Sequence, residues 1–443
     1  MTGDSEPMAA LSEEGRPRAV PRPYWWDDID WPDGLDVALP AAVDVAIVGG
    51  GYAGLSAALT LTRAGRSVVV LDAQRPGHGA SSRSGGMIGS GHRLSYAALA
   101  RRYGERQAEA ILREGLAALD FTTALIAREQ IDCQFSRCGR FRGAWTAAAY
   151  EAMAREIETL RRAIGLDADV VDRAQARDEV ATDRYHGGCV FHRHGGVHPA
   201  RFLAGLLERA RAAGTVVAGG ASVRTIAGRR GAFVLATSRG TVAARDVIVA
   251  TNGYTGQATP RLARRLLAVS AYLMATDPLG AARVRAIIPR QRMIVETRSR
   301  HCYYRPSPDG TRLIFGARAA LQAITLEAAA TRLRRFMVEL FPDLAATGVS
   351  HVWTGSIAFA RDHLTHIGVL DGIHYALACN GSGVAMAPYA GHKAALKVMG
   401  TPAGATAFDA HPFKVYPPFM RSQGALAVAE TYYRLIDRRE GSR

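Results

Sequence analysis

Apolar and polar residues near the start of the chain alternate in a way that predicts a strand, a helix and a second strand in close succession. The apolar run VDVAIV lies at 43–48, and LSAALTLTRAG at 55–65 repeats apolar residues at helical spacing. The run SVVVLD follows at 67–72. Short β-branched runs favour strands, whereas apolar residues three and four positions apart favour a helix. The three segments therefore predict one βαβ unit of roughly 30 residues.

Longer patterns divide the rest of the chain. Residues 95–165 repeat apolar positions at helical spacing, and 215–251 contain three β-rich runs joined by glycine turns. Residues 264–320 are mixed and mostly strand-like. Further helices are predicted at 199–214 and 325–341, and a strand, a glycine-rich turn and a helix are predicted over 374–400.

The first forty residues differ in character from the rest of the chain. They are rich in proline and acidic residues and contain Trp25, Trp26 and Trp31 close together. Tryptophan has a large apolar ring and a single N–H donor, so it anchors a chain by burial. We expect residues 1–40 to form an extended arm that is held in place by its tryptophans.

A glycine pattern lies between the first strand and the first helix. Gly49, Gly51 and Gly54 form the sequence G-x-G-x-x-G, and Asp72 follows eighteen residues after Gly54, at the end of the second strand. The glycines allow a tight turn, close approach of a pyrophosphate and close packing of helix on strand, while the acid accepts hydrogen bonds from ribose hydroxyls. The pattern alone is weak, but in this strand–turn–helix–strand context it is strong. It predicts a site for the ADP half of a dinucleotide.

Three later features favour a flavin over a nicotinamide. A long helical insertion follows the second strand, where a nicotinamide-dependent dehydrogenase would continue with another βαβ unit. Thr251-Asn252-Gly253 ends the β-rich stretch, where a second glycine turn can approach the same dinucleotide. Gly381-Ser382-Gly383 opens a helix whose N-terminus can face a flavin carbonyl.

Charge and cysteine content bear on three other possibilities: nucleic-acid binding, membrane insertion and secretion. The net charge is +15, but all but three of the 55 basic residues are arginines spread along the chain without a basic stripe. We therefore expect no nucleic-acid partner. The start lacks the apolar core of a signal peptide, no apolar run is long enough to span a membrane, and five scattered cysteines fit a reduced compartment. We expect a cytoplasmic protein without a membrane span.

The chain resembles the D-amino-acid oxidase superfamily of FAD enzymes, which contains glycine oxidase, sarcosine oxidase and gamma-glutamylputrescine oxidase. The segment GASSRSGGMI is most similar to the gamma-glutamylputrescine oxidase branch. The similar segments run in family order over about 43–400: VAIVGGGYAGLSAAL, GASSRSGGM, GGVHPARFLAGLLERARAAG, DVIVATNGYTG, YYRPSPDGTRLIFGAR, WTGSIAFARDHLTHIG and YALACNGSGVAMAPYAG.

The resemblance implies an α/β (α+β) architecture of two interleaved domains. A Rossmann-like FAD domain is expected over 41–93, 169–260 and 350–400. A substrate domain built from a β-sheet and helices is expected over 94–168 and 261–349. Residues 401–443 would form a C-terminal tail.

The resemblance also implies a reaction and the residues that serve it. We expect hydride transfer from the C–N bond of a small amine, or of an N-substituted or cyclic amino acid, to FAD, which yields an imine. Oxygen, a quinone or another electron carrier would reoxidise the flavin. The expected substrate contacts are Tyr272, Tyr303, Tyr304 and Arg305; because side chains alternate along a strand, Tyr303 and Tyr304 cannot both face the substrate. The expected FAD contacts are Gly49, Gly51, Tyr52, Ala53, Gly54, Asp72, Ala73, Ser82, Arg83, Ser84, Gly85, Gly86, Met87, Val223, Thr251, Asn252, Gly253, Gly381, Ser382, Gly383 and Val384.

Several positions depart from the family pattern. Ile357 stands where relatives that oxidise small amino acids carry an arginine that clamps the substrate carboxylate. We therefore do not expect glycine, sarcosine or a plain α-amino acid held in the family's usual way, although Arg305 or Arg83 could substitute for the clamp. The WTGSIAFARDH segment lacks the cysteine that links flavin in sarcosine oxidases, and neither His78 nor His92 aligns with the histidine that links it in dimethylglycine dehydrogenases. We therefore expect non-covalent FAD.

The residues leave other chemistries open. His301, His363 and His366 are candidates for a general base. No histidine pair has metal-ligand spacing on a helix, so we expect no metal. Oxidation of a hydroxy acid by the same flavin and a tRNA-associated flavoprotein are the alternatives.

Overall fold

The computed structural model describes residues 19–441, which form two large sheets with helices packed around them. The strands are β1 Ala42–Val48, β2 Val68–Leu71, β3 Met87–Ile88, β4 Arg140–Gly143, β5 Ala168–Val171, β6 Gly188–Phe191, β7 Gly195–Gly196, β8 Val216–Ala218, β9 Val223–Arg229, β10 Ala232–Thr237, β11 Gly240–Val249, β12 Leu266–Thr276, β13 Met293–Glu296, β14 Tyr303–Pro306, β15 Leu313–Ala317, β16 Val349–Ala360, β17 His366–Leu370 and β18 Ile373–Leu377. The α-helices are α1 Tyr52–Arg63, α2 Tyr96–Tyr103, α3 Glu105–Arg128, α4 Ala147–Ile164, α5 Arg173–Glu179, α6 Pro199–Ala212, α7 Pro260–Ala263, α8 Ala281–Ile287, α9 Leu326–Leu340, α10 Gly383–Val398 and α11 Gln423–Gly441.

The first sheet contains the predicted βαβ unit. β1 lies between β2 and β11 and runs parallel to both, while β8 and β18 extend the sheet on either side. A parallel sheet buries both faces, which explains the continuous apolar run of β1. Ile47 packs with Leu55 of α1 on one face, and Ala46 packs in a cluster with Phe233 of the β9–β10–β11 meander on the other. The carboxyl ends of β1 and β2 therefore open at one edge, where a cofactor binds in such sheets.

The second sheet is mostly antiparallel, in the order β16-β12-β15-β14-β13-β4-β6-β5. Phe141, Tyr304 and Phe315 are buried in its own core, together with Leu333 and Met337 of α9. The sheet is thus a separate layer with a hydrophobic core of its own. The two sheets and their helices agree with the predicted α/β class.

The structure differs from the expectations at three places: one predicted helical stretch contains a strand, and two groups of strands lie outside the expected domain limits. The predicted helical stretch 95–165 is interrupted by β4, whose pairing with β6 and β13 places it in the second sheet. β5 and β6 join that sheet too, although residues 169–260 were expected in the FAD domain. β16 also belongs there, because it pairs with β12 from Leu266 to Thr276. Long-range strand pairing decides these memberships.

The arm and the tail both return to the body of the protein. Of the predicted arm over 1–40, residues 1–18 lie outside the described residues. Within the described part Trp25 is fully buried, whereas Trp26 and Trp31 are half-buried. In the tail, the ring of Tyr433 on α11 lies under the Arg318 guanidinium, at 3.8 Å from its centroid.

Candidate active site

The turn between β1 and α1 has the shape that the glycine pattern requires. Gly49 has a φ of +107°, and a side-chain carbon there would lie 3.0 Å from the carbonyl oxygen of Ala250. At Gly54 such a carbon would collide with the carbonyl oxygen of Gly49, so helix and turn approach as closely as they do only without a side chain. The turn leads directly into the N-terminus of α1, which favours an anion.

Asp72 lies at the adjacent strand end and holds this turn. Its Oδ2 accepts a hydrogen bond of 2.7 Å from the N–H of Gly50, and its Oδ1 accepts one of 3.0 Å from the N–H of Gln74. Burial raises the pKa of the Asp72 carboxyl, while these two hydrogen bonds oppose the rise. The carboxylate retains lone pairs toward the cavity that it lines.

One cavity of about 1800 Å³ extends from this turn to the second sheet. Pockets for single drug-sized ligands are about 300–1000 Å³, so this one has room for a dinucleotide and a second small molecule. The expected FAD contacts that line it are Gly49, Gly51, Tyr52, Ala53, Asp72, Ala73, Arg83, Ser84, Gly85, Met87, Val223, Thr251, Asn252, Gly381, Ser382, Gly383 and Val384. Gly54, Ser82, Gly86 and Gly253 lie behind them and are not among its lining residues.

The cavity wall at residues 83–85 and the adjoining Gly86 are held from behind by hydrogen bonds. The carbonyl oxygens of Arg83 and Ser84 accept hydrogen bonds of 2.8 Å from the indoles of Trp353 and Trp25. The carbonyl oxygen of Gly86 accepts one of 3.1 Å from Arg305. Three different segments thus fix the path of this wall, which the sequence motif alone did not show.

Arg83 lines the cavity, but its donors are used within the protein. Its Nε donates to the carbonyl oxygen of His78 at 2.6 Å, Nη1 to that of Thr354 at 3.3 Å, and Nη2 lies 3.0 Å from the His78 ring. The guanidinium also stacks on Trp26, at 4.5 Å from the ring centroid. Because its guanidinium is held by these contacts, Arg83 is poorly placed to bind a substrate carboxylate in place of the family's arginine.

The four expected substrate contacts separate into one inside and three outside the cavity. Tyr303 lines the cavity. Tyr304 faces the core of the second sheet, where its hydroxyl oxygen lies 3.0 Å from the hydroxyl oxygen of Tyr185. The expected alternation on β14 is therefore present. The Tyr272 hydroxyl accepts a 2.9 Å hydrogen bond from the N–H of Ile324, and Arg305 is buried behind the wall, where it also donates to the carbonyl oxygen of Val197.

The position at which relatives carry the arginine that binds the substrate carboxylate is apolar in this protein. Ile357 lines the cavity beside its strand partner Val269, and Leu273, four residues farther along β12, lines it as well. Because Arg305 lies outside the cavity and Arg83 is engaged, neither takes over the role that Ile357 cannot fill. A carboxylate at this position would face isoleucine and lose its hydrogen bonds.

Two of the three histidines that were candidates for a general base line the cavity, and the third does not. His301 and His363 line the cavity, and His366 does not, because it binds Asp362 at 3.0 Å and stacks on Phe413. The His301 side chain is exposed to the cavity, and the limited solvation there, with Arg93, Arg142 and Arg318, lowers its pKa to about 4. Burial likewise lowers the pKa of His363. Both imidazoles are therefore neutral near pH 7.

Positively charged side chains outnumber carboxylates among the residues that line the cavity. Among the described residues that line it, Asp72 and Glu156 are the carboxylates, against the arginines Arg83, Arg93, Arg140, Arg142, Arg224, Arg298 and Arg318. Arg298 is neutralised by Glu296, at 2.7 Å. Sequence reasoning missed Arg140 and Arg142, although the alternation in RFRG at 140–143 could have placed both on one face of a strand.

Comparison with known proteins identifies the family. The model of the DAO family, described as FAD dependent oxidoreductase, matches residues 44–396. The chain belongs to this family. It is also 30% identical to the gamma-glutamylputrescine oxidoreductase of Escherichia coli (strain K12) over 401 residues, which covers 89% of this chain and 93% of the relative. A probable oxidoreductase OrdL of Rhizobium meliloti (strain 1021) is 29% identical over 404 residues, covering 89% and 92%.

Solved structures agree with the fold of a DAO family member. The glycine oxidase from Geobacillus kaustophilus superposes with a TM-score of 0.69 at 22% identity, covering 85% of this chain and 99% of the other. The predicted family, fold class and FAD dependence are thereby confirmed. Within residues 19–441 no helix is long and apolar enough to cross a membrane.

The site in this DAO family protein fits FAD. The ADP half fits the side-chain-free turn at Gly49, the N-terminus of α1 and the half-buried Asp72. The cavity then continues past residues 83–87 to the start of α10, so the same space has room for the ring. Across the part of the chain that the structure describes, no group of three or more His, Cys, Asp or Glu side chains is arranged to hold a metal.

Proposed function

We propose that this FAD-dependent oxidoreductase oxidises the C–N bond of a small amine or of an N-substituted or cyclic amino acid. FAD, when bound, supplies the acceptor for the hydride, which carries both electrons of the oxidation. The protein's own contribution is to bind and orient the amine in a dry pocket. The relative from Escherichia coli, called gamma-glutamylputrescine oxidoreductase, supports an amine substrate.

The apolar surface that the second sheet presents to the cavity is the main support for an amine substrate. Ile357, Val269 and Leu273 form an apolar wall on the second sheet, and Tyr303 lies on the same cavity. Among the described residues that line the cavity, an ammonium ion would find no carboxylate at this wall, because Asp72 lies at the end of β2 and Glu156 lies on α4. Binding therefore favours the neutral amine. A neutral amine has the lone pair that C–N oxidation requires.

The neutral histidines at the cavity also favour a neutral amine over an ammonium ion. Neutral His301 and His363 can accept a hydrogen bond from an N–H of the substrate without adding charge. The hydroxyl of Tyr303, whose pKa burial raises, stays protonated and can donate one. These groups orient an amine and require no further base.

The test is an anaerobic titration of the FAD-loaded protein with amines, amino acids and hydroxy acids, followed by admission of air. Loss of the flavin absorption bands with an amine supports the proposal, and fast or slow recovery in air distinguishes an oxidase from a dehydrogenase. Loss of the bands with hydroxy acids alone would replace the amine assignment by hydroxy-acid oxidation. Bands that no member of the panel changes would remove its support.

A further inference from the structure

The C-terminal helix α11 places one of its faces on the cavity. The helix begins at Gln423, and the Ser422 hydroxyl accepts a 3.2 Å hydrogen bond from the N–H of Ala425 in its first turn. The residues of α11 that line the cavity are Ala425, Leu426, Ala429 and Tyr433. They are separated by three, four and seven positions, so they share one face of the helix. Each is half-buried and therefore has surface that a bound molecule can cover.

The outer face of the same helix is exposed to solvent. Val428 is 72% exposed and Tyr432 is 60% exposed, and neither is among the residues that line the cavity. The two faces of α11 carry similar types of residue, alanine, leucine or valine and tyrosine. Position on the helix, and not composition, thus decides which of them a molecule in the cavity can contact.

A buried carboxylate fixes which face of α11 turns inward. Glu430 is buried, and its Oε2 accepts a 3.3 Å hydrogen bond from the backbone N–H of Gln322. Its Oε1 lies 3.6 Å from Nη1 of Arg332 on α9. Because Gln322 and Arg332 both follow β15 in the chain, α11 is attached to the part of the protein that forms the second sheet.

Tyr433 is held at the end of β15. Its ring lies under the guanidinium of Arg318, the residue that follows β15, and a cation over a ring face is attracted to it. Arg318 also donates a hydrogen bond to the carbonyl oxygen of Ser299. β15 pairs with β14, where Gly316 is the partner of Tyr303. The inner face of α11 therefore lies at the end of the cavity that the second sheet builds.

The surface that the tail adds to this end of the cavity is uncharged. Phe419 and Met420, just before α11, line the cavity together with the inner face of the helix. None of the described residues after 400 that line the cavity carries a charge. A charged group placed against alkyl and aryl side chains loses its hydration, whereas an apolar chain gains by leaving water.

We propose that α11 completes the substrate pocket, and that Leu426 and Tyr433 are specificity-determining residues that bind an uncharged, apolar part of the amine, away from the C–N bond that is oxidised. This inference rests on the proposed function for the amine and on the placement of α11 for its apolar part. The helix lies beyond residue 396, where the match to the family model ends. This part of the pocket therefore belongs to the tail and not to the matched domain.

The test uses neutral probes, so it does not depend on turnover. FAD-loaded protein is titrated with straight-chain carboxamides from propanamide to hexanamide, while flavin absorption and melting temperature are followed. We expect the affinity to rise with chain length, by up to about fourfold for each added methylene. The charged counterpart 6-aminohexanamide should bind more weakly than hexanamide.

Variants on the two faces of α11 locate the contact. Leu426→Ala and Tyr433→Ala should each weaken hexanamide binding by about tenfold and leave propanamide binding unchanged. Tyr433→Phe keeps the ring under Arg318 and should bind as the wild type does. Val428→Ala, on the exposed face of the same helix, is the matched control and should also bind as the wild type does.

Specific outcomes overturn the role of α11. These are failure of every carboxamide to bind, equal binding of propanamide and hexanamide, tighter binding of 6-aminohexanamide, or hexanamide binding that both alanine variants leave unchanged. An equal loss in Val428→Ala would show that helix stability, and not contact, is responsible. A parallel loss of FAD affinity in Leu426→Ala would assign the helix to the cofactor instead. If Tyr433→Ala does not fold, Leu426→Ala provides the test.

The same measurements separate this inference from the proposed function. Chain-length dependence that Leu426→Ala abolishes, in a protein whose flavin no amine reduces, would retain the role of α11 and reject amine oxidation. Amine oxidation whose KM depends neither on chain length nor on the two alanine variants would retain the proposed function and reject the role of α11.

Discussion

The indole N–H of Trp25 donates a 2.8 Å hydrogen bond to the carbonyl oxygen of Ser84, which links the N-terminal arm to the cavity wall. Trp25 is fully buried, and its ring meets that of Trp353 edge-on at 6.5 Å. Trp353 holds the neighbouring carbonyl oxygen of Arg83 in the same way. The arm therefore supports the cavity wall from behind, although it precedes the glycine motif in the sequence.

Trp25→Phe should weaken both the fold and FAD binding. The change removes the donor to Ser84 and leaves a buried carbonyl oxygen without its partner, which costs about 1–3 kcal/mol. We expect a lower melting temperature and FAD binding that is weaker by about tenfold, measured by quenching of flavin fluorescence. Trp31→Phe is the control, because Trp31 is half-buried and contacts Arg75 through its ring. Equal loss of FAD affinity in both variants would show that the Ser84 hydrogen bond is not responsible.

Asp72→Ala should reduce FAD affinity more than it reduces stability. The substitution removes the acceptor for the N–H of Gly50 and the acid expected to bind the ribose hydroxyls. Loss of such hydrogen bonds to a charged group corresponds to about tenfold to a hundredfold weaker binding. Asp44→Ala removes a comparable carboxylate at the other end of β1, where it binds Ser67, and should leave FAD affinity unchanged. A similar loss in both variants would contradict a specific role for Asp72.

The rate of amine oxidation should rise with pH from about pH 6 to 9. Limited solvation in the cavity and the nearby arginines lower the pKa of His301 to about 4, so this ring stays neutral throughout that range and does not gate the reaction. The substrate amine must lose its proton before it enters the apolar pocket, so the midpoint should follow the pKa of the amine used. We would measure kcat/KM against pH for two amines of different pKa. The same midpoint for both amines would point to a group of the protein.

FAD should be released when the protein is denatured in acid. The WTGSIAFARDH segment contains no cysteine, and burial raises the pKa of the Cys379 thiol at the cavity to about 12, so it stays protonated and poorly nucleophilic. The ring of His92 packs against Gly115 of α3, and burial lowers its pKa to about 4. After precipitation with trichloroacetic acid, the flavin should appear in the supernatant. Flavin that remains with the pellet would refute non-covalent binding.

The local elements of the FAD domain were predictable, because they depend on short-range patterns. The run VDVAIV became β1, and the glycine pattern became the turn before α1. Asp72 followed from its position after β2, since the carboxyl ends of neighbouring parallel strands meet at one edge. The alternation on β14 also predicted correctly that Tyr303 and Tyr304 face opposite sides.

The tertiary structure alone decided which distant residues meet at the cavity. Arg305 was expected at the substrate, but the path of β14 directs it behind the wall, where it holds the carbonyl oxygen of Gly86. Arg140 and Arg142 reach the cavity only because β4 pairs with β6 and β13 in the second sheet. The sequence by itself therefore determined the cofactor fold, through periods of two and about 3.6 residues and a glycine turn. The substrate side depends on long-range pairing of strands far apart in the chain, and no local pattern encodes that pairing.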